Sequence, residues 1–256
     1  MRRALSLWRA VLVVAALLGA WELYVDLGGA TPLILPPPHA VARSLFDDRV
    51  LLWSSFRVTA QEIVLGMLLA AAAALVLAAI MHFFLSLRRA VYPLLVASQT
   101  IPIPMLAPVL VLWLGFGILP KLAVIALVSF FPVVVTTLAG FAAVDTELIK
   151  LMRTFDATRR RVFWIVELPS ALPSVFTGAK IAVVVAVIGA VFAEQAGANA
   201  GLGYLFEQSI FQLLTARAYA AVVVMSVFAI VLFALLTLAE RLTVPWAYRP
   251  IGDLDE

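Results

Sequence analysis

Six stretches of this chain, at 7–26, 58–85, 91–115, 118–142, 173–197 and 217–241, are predominantly apolar over about twenty residues or more. A hydrocarbon core of ~30 Å takes about 20 apolar residues per helical crossing. Lipid offers no partner to an unpaired backbone group, so each stretch reads as a transmembrane helix. Barrel strands are excluded, because the runs lack the required alternation. The expected fold class is all-α, a polytopic membrane protein with six transmembrane helices. Composition agrees: 64% of the 256 residues are hydrophobic and 13% charged, against roughly a quarter charged in a soluble domain.

Met1-Arg2-Arg3 followed by an apolar run could open a secretory signal. The run continues to about Tyr24 without a small-residue cleavage pattern, so a retained first span is expected. The domain plan is an N-terminal helix with an external segment (1–57), a core (58–242) holding a cytoplasmic loop at 143–172, and a cytoplasmic tail (243–256). Orientation follows from Lys and Arg in short loops. One side has Arg2, Arg3, Arg9, Arg88, Arg89, Lys150, Arg153, Arg159 to Arg161, Arg241 and Arg249. The other has Arg43, Arg49 and Arg57 beside Asp26, Asp47 and Asp48, then Lys121 and Arg217. The first set is larger, which puts both termini and the loop at 143–172 in the cytoplasm.

The chain has no cysteine, and its histidines, His39 and His82, lie far apart in sequence, so no metal site or thiol chemistry is expected. No Ser-His pair or HExxH supports catalysis, and no catalytic residue, cofactor or nucleic-acid partner is expected. No G-x4-GK-[ST] occurs, so the chain cannot bind ATP through a loop of that kind. Outside the membrane, Pro36-Pro37-Pro38 starts a short interfacial helix over His39 to Asp48. In span 3, Ser98-Gln99-Thr100 is followed by Pro102, Pro104 and Pro108, which predict a kinked helix with freed carbonyls. The kink either marks a translocation route or is structural only. Glu194 and Gln195 near the outer end of span 5, with Asn199 a turn beyond, are pathway candidates together with Gln99; the alternative is that Glu194 is solvated at the interface. Gly197, Gly201 and Gly203 predict a turn, and Lys180 is expected to snorkel.

The polar stretch from Val144 to Pro173 predicts a cytoplasmic helix over Thr154 to Val166, ended by Pro169, with span 5 starting at Pro173. Alone, this basic loop would be read as touching anionic lipid. Its ending, Val166-Glu167-Leu168-Pro169, resembles the coupling-loop motif of ABC importer permeases, EAA-x3-G-x9-I-x-LP. Arg153 to Thr158 is similar to the version in the nitrate, sulfonate and taurine permease group. Thr177-Gly178-Ala179-Lys180-Ile181-Ala182 and Gly201-Leu202-Gly203-Tyr204 resemble that group too. Residues 98–121, 130–135 and 189–205 look closest to permeases for pyrimidine precursors of thiamine. In the motif's register its Gly falls on Asp156 and its EAA on Lys150-Leu151-Met152, so the acidic residue and the glycine are missing. Asp at that position either adopts left-handed geometry or caps the following helix.

The resemblance implies a type I ABC importer permease, with a cytoplasmic ATPase dimer, a second permease subunit (a homodimer is expected) and an extracytoplasmic solute-binding protein. It implies Arg153, Phe155, Asp156, Ala157 and Arg159 as the ATPase contact, with Leu168 and Pro169 closing the motif. The solute suggested is a hydroxymethylpyrimidine-type thiamine precursor, the alternatives being an aliphatic sulfonate, taurine or nitrate. An ion-coupled secondary transporter is the competing class. It would place coupling carboxylates mid-span, and the apolar centres are nearly free of them.

Overall fold

The computed structural model describes residues 2–248, so Arg249 and the end of the expected tail lie outside the described residues, as do the side chains of Arg2 and Arg3. The described chain is all-α and contains no strand. Its helices are α1 (Arg2–Asp26), α2 (Pro38–Asp47), α3 (Arg49–Phe83), α4 (Leu85–Ser98), α5 (Ile103–Leu114), α6 (Ile118–Ala142), α7 (Thr146–Thr154), α8 (Arg159–Val162), α9 (Leu168–Gly197), α10 (Leu202–Phe211) and α11 (Thr215–Thr243). Among the described residues, four continuous helices are long and apolar enough to cross a bilayer: α3, α6, the run from α8 through α9, and α11. The α4–α5 pair makes a fifth, and α1 covers the place of the first expected span.

Two compact units result. The first joins Met1–Thr59 to Asn199–Ser226, and the second joins Ala60–Ala198 to Val227–Glu256. In the first unit, α2 forms where the Pro36–Pro38 run predicts it, with a proline in its first turn. Its neighbour Asp48 receives Nη2–H of Arg217 at 2.7 Å and the Ser44 hydroxyl at 2.7 Å. Burial raises the Asp48 carboxyl, but the bonds from Arg217 and Ser44 outweigh it and hold the group below the usual carboxylate range. The predicted glycine turn is present: α9 ends at Gly197, Gly201 sits at φ 122°, and the amide of Leu202 donates to Thr59 Oγ1 at 2.7 Å.

In the second unit α6 lies against α9. The approach is close because Gly178 has no side chain: a Cβ there would fall 2.1 Å from Thr136 Oγ1 and 2.9 Å from both the Pro132 carbonyl and Val133 Cα. Small residues let membrane helices meet backbone to backbone. The core around this contact includes Ala78, Met81, Val134, Leu138 and Ala182.

The structure corrects three local expectations. The kink in span 3 is a break, with α4 and α5 meeting at 102°. Pro102 and Pro104 lack the N–H groups that the carbonyls of Ser98 and Thr100 would need, so the helix stops at Ser98 and restarts at Ile103. The helix expected over Thr154 to Val166 is interrupted at 155–158 and runs instead as α7 before the gap and α8 after it. Nor does Pro169 end that helix. The amide of Leu168 reaches back five residues to the Phe163 carbonyl, so Phe163–Glu167 is a π turn leading straight into α9, with Pro173 inside it. The Lys180 ammonium, near the start of the apolar part of α9, pairs with Glu240 at 2.5 Å.

Candidate coupling segment and solute cavity

The segment between α6 and α9 is built from short-range hydrogen bonds. Asp145 caps α7, its carboxylate accepting the Glu147 amide at 2.8 Å. At the other end the Ala157 amide donates to the Met152 carbonyl at 3.1 Å and the Asp156 amide to the Arg153 carbonyl at 3.0 Å. Asp156 stands between them at φ 51°. This is a Schellman stop, in which the left-handed residue is ordinarily glycine. The position is the one where the motif register puts its glycine, and Asp156 takes the left-handed geometry there. The capping alternative goes to Thr158, whose hydroxyl accepts the Arg161 amide at 3.4 Å to start α8.

The stop turns side chains outward. Phe155 is 74% exposed, and Leu148 and Leu151 on α7 are exposed with it. Arg153, Asp156 and Arg159 are also exposed, while Ala157 is half-buried. Leu168 and Pro169 are half-buried at the start of α9, and Leu168 packs on the core. The foot of the segment is fastened to the end of α3. Arg159 donates to the Phe83 carbonyl at 3.3 Å and lies 5.2 Å from its ring centroid. His82 Nε2 meets Glu167 Oε2 at 2.9 Å, with the rings of Phe83, Phe141 and Phe163 around the imidazole. Sequence reasoning missed this anchor. Glu167 was visible only as the free position of the motif's ending, and nothing in the sequence ties it to a histidine 85 residues away.

The other feature is a cavity of about 190 Å³ at the break between α4 and α5, lined by Ser98, Gln99, Ile101, Ile103, Leu106, Leu127, Val128 and Val185. Its polar groups are the Gln99 amide and the Ser98 hydroxyl, the latter donating to the Leu95 carbonyl at 2.7 Å. None of the lining side chains is charged. Of the four pathway candidates, Gln99 alone lies on this wall. Gln195 is half-buried in the last turn of α9, and Asn199 is exposed in the turn before α10. Glu194 is fully buried, so it is neither solvated nor on the cavity wall.

In the first unit, Glu22, Asp26 and His39 each bring a possible ligand atom within 4.8 Å of the others, a grouping that counting histidines overlooks. His39 already bonds Glu22 through both its ring Nδ1 and its backbone amide, which ties α2 to α1.

Residues 62–246 match the family described as binding-protein-dependent transport system inner membrane component. The chain is 36% identical to the formylaminopyrimidine transport permease protein ThiX of Halalkalibacterium halodurans, over 96% of this chain and 98% of that one. It is 33% identical to the riboflavin transport system permease protein RibX of Chloroflexus aurantiacus, over 90% and 87% of the two chains. To the taurine transport system permease protein TauC of Escherichia coli it is 30% identical, over 91% and 87%. A multi-pass helical chain matched over most of its length in this way belongs to the binding-protein-dependent inner membrane components, the permease subunits of ABC importers.

Proposed function

We propose that this permease carries a small uncharged heteroaromatic solute, of the pyrimidine thiamine-precursor kind, and that the cavity at the broken span is where the solute passes. The observation that carries the reading is the wall chemistry: a neutral amide, a hydroxyl and six apolar side chains, without a cation. An amide can donate to and accept from ring nitrogens. A sulfonate buried on the same wall would lack a counter-charge, which is costly. Size agrees, since a cavity of 150 Å³ is known to hold benzene and this one is about 190 Å³. The 36% identity to a formylaminopyrimidine permease supports the same class.

The rest of the reading follows the family. Two copies of the chain line one pathway, an external binding protein delivers the solute, and both termini face the cytoplasm. The surface of Arg153, Phe155, Asp156 and Ala157 docks on an ATPase subunit, and Arg159 fastens the foot of that surface to the end of α3. Leu168 and Pro169 hold that surface onto α9. A rigid joint between docking surface and span is needed, because only an interaction that differs between two states biases them.

The test is ATP-driven uptake in proteoliposomes holding the permease, its ATPase and its binding protein. Labelled hydroxymethylpyrimidine is taken up, taurine does not compete, and Gln99→Ala raises the solute KM several-fold. Uptake of taurine in preference, or uptake by the permease alone on an ion gradient, overturns the reading.

A further inference from the structure

His82, in the last turn of α3, touches the π turn of Phe163–Glu167 at both of its ends. Its Nε2 meets Oε2 of Glu167, the last residue of the turn, at 2.9 Å. Its ring centroid lies 5.9 Å from that of Phe163, the first residue. Phe141, near the end of α6, lies 4.6 Å from the same imidazole. The His82 and Glu167 side chains are 17% and 12% exposed, and Phe141 and Phe163 are buried. Phe83, next to His82, adds a ring contact to Phe163 at 4.9 Å. One imidazole is thus the meeting point of the ends of α3 and α6 and the start of α9.

A π turn is rare and places one extra residue in a helical turn. At 3.6 residues per turn, one residue is worth ~100° of rotation about the helix axis. Closing this turn to α geometry would swing α8 and the segment before it by that angle relative to α9. The extra residue therefore sets which way the exposed edge around Phe155 points, and something must hold it in place. The two end residues are the ones gripped. Glu167 is held by a polar contact largely shielded from competing water, and Phe163 by aromatic packing.

We propose that His82 clamps the π turn at both ends, so that the end of α3, the segment between α6 and α9, and the start of α9 move as one piece. His82 and Glu167 are positioning residues, and neither lines the cavity beside Gln99. A displacement imposed at Phe155 then reaches α3 as well as α9. That consequence rests on the reading of the segment as the ATPase contact; the clamp itself does not.

Two measurements on the full chain test this. In the first, hydrogen exchange of the chain alone in lipid nanodiscs is read by mass spectrometry. Exchange across 163–168 is expected to be several-fold faster in His82→Ala and in Glu167→Ala than in wild type. The double variant should exchange no faster than the singles, since the two residues act through one contact. Glu167→Gln, whose amide still bonds an imidazole, keeps near wild-type exchange. In the second, the ATPase and binding protein are added with hydroxymethylpyrimidine (or taurine, whichever stimulates wild type). Both Ala variants should lose stimulated ATP hydrolysis several-fold while the ATPase still co-purifies, and Glu167→Gln should retain it. Unchanged exchange in the Ala variants, or additive effects in the double variant, overturns the clamp. Faster exchange with normal stimulation overturns the movement as one piece. If no ATPase binds wild type, the docking reading falls and the exchange data still decide the clamp. Should His82→Ala fail to fold, Glu167→Ala against Glu167→Gln carries the test.

Discussion

Asp156 shows how one residue can carry a motif whose letters have changed. The candidate coupling loop reverses α7 through a residue at φ 51°, and among side-chain-bearing residues aspartate and asparagine bear that conformation best. Asp156→Gly should therefore keep or raise stability and retain solute-stimulated ATP hydrolysis. Asp156→Val should cost ~1–2 kcal/mol from the left-handed strain and uncouple hydrolysis. Loss of stimulation in Asp156→Gly would mean that the carboxylate, not the turn, is what the partner reads. This position was legible from sequence, because the register from Val166 points to it. Glu194 was only half legible: an ionisable residue in an apolar run stands out, but its burial depends on how α9 packs on α6, which the run itself does not state. Its place inside the bundle emerges only when those helices pack.

At the scale of elements, the apolar runs gave the spans well where a single continuous helix was the answer, as with α6, whose bounds coincide with the expected 118–142. They failed where prolines cluster. A lone proline is tolerated within a helix, as Pro132 is in α6, and the sequence does not say whether two or three produce a bend, a break or a π turn. Span 3 broke because neighbouring carbonyls lost their donors together. The entry to α9 widened into a π turn instead, with Phe163 and Glu167 held by the end of α3 and by Phe141. The pairing of α6 with α9 gives the prediction at this scale. Gly178→Ala places a methyl against backbone atoms of Pro132 and Val133 that cannot swing aside, and overpacking of this sort costs ~1–3 kcal/mol. The melting temperature in detergent should drop, and Thr136→Ala should not restore it, since the carbonyl contact remains. An unchanged melting temperature in Gly178→Ala would show that the two helices can move apart freely.

For the whole molecule, the exposed edge of the candidate coupling segment sets apart two residues that the sequence reading grouped together. Phe155 projects into solvent, whereas Arg159 is engaged with the Phe83 carbonyl and ring. Phe155→Ala should abolish solute-stimulated ATP hydrolysis and weaken co-purification of the ATPase. Arg159→Ala should instead loosen the foot of the segment, lowering stimulation while the ATPase still co-purifies. Equal loss of the ATPase in both variants would place both residues in the docking contact.

The angle between α4 and α5 also solves a problem of length. Residues 85–114 drawn out as one rod would reach ~45 Å, half again the ~30 Å thickness of the hydrocarbon layer. Turning through 102° lets the surplus run sideways. Straightening this segment with proline-free replacements would leave a rod too tall for its bilayer, with the recess beside Gln99 erased.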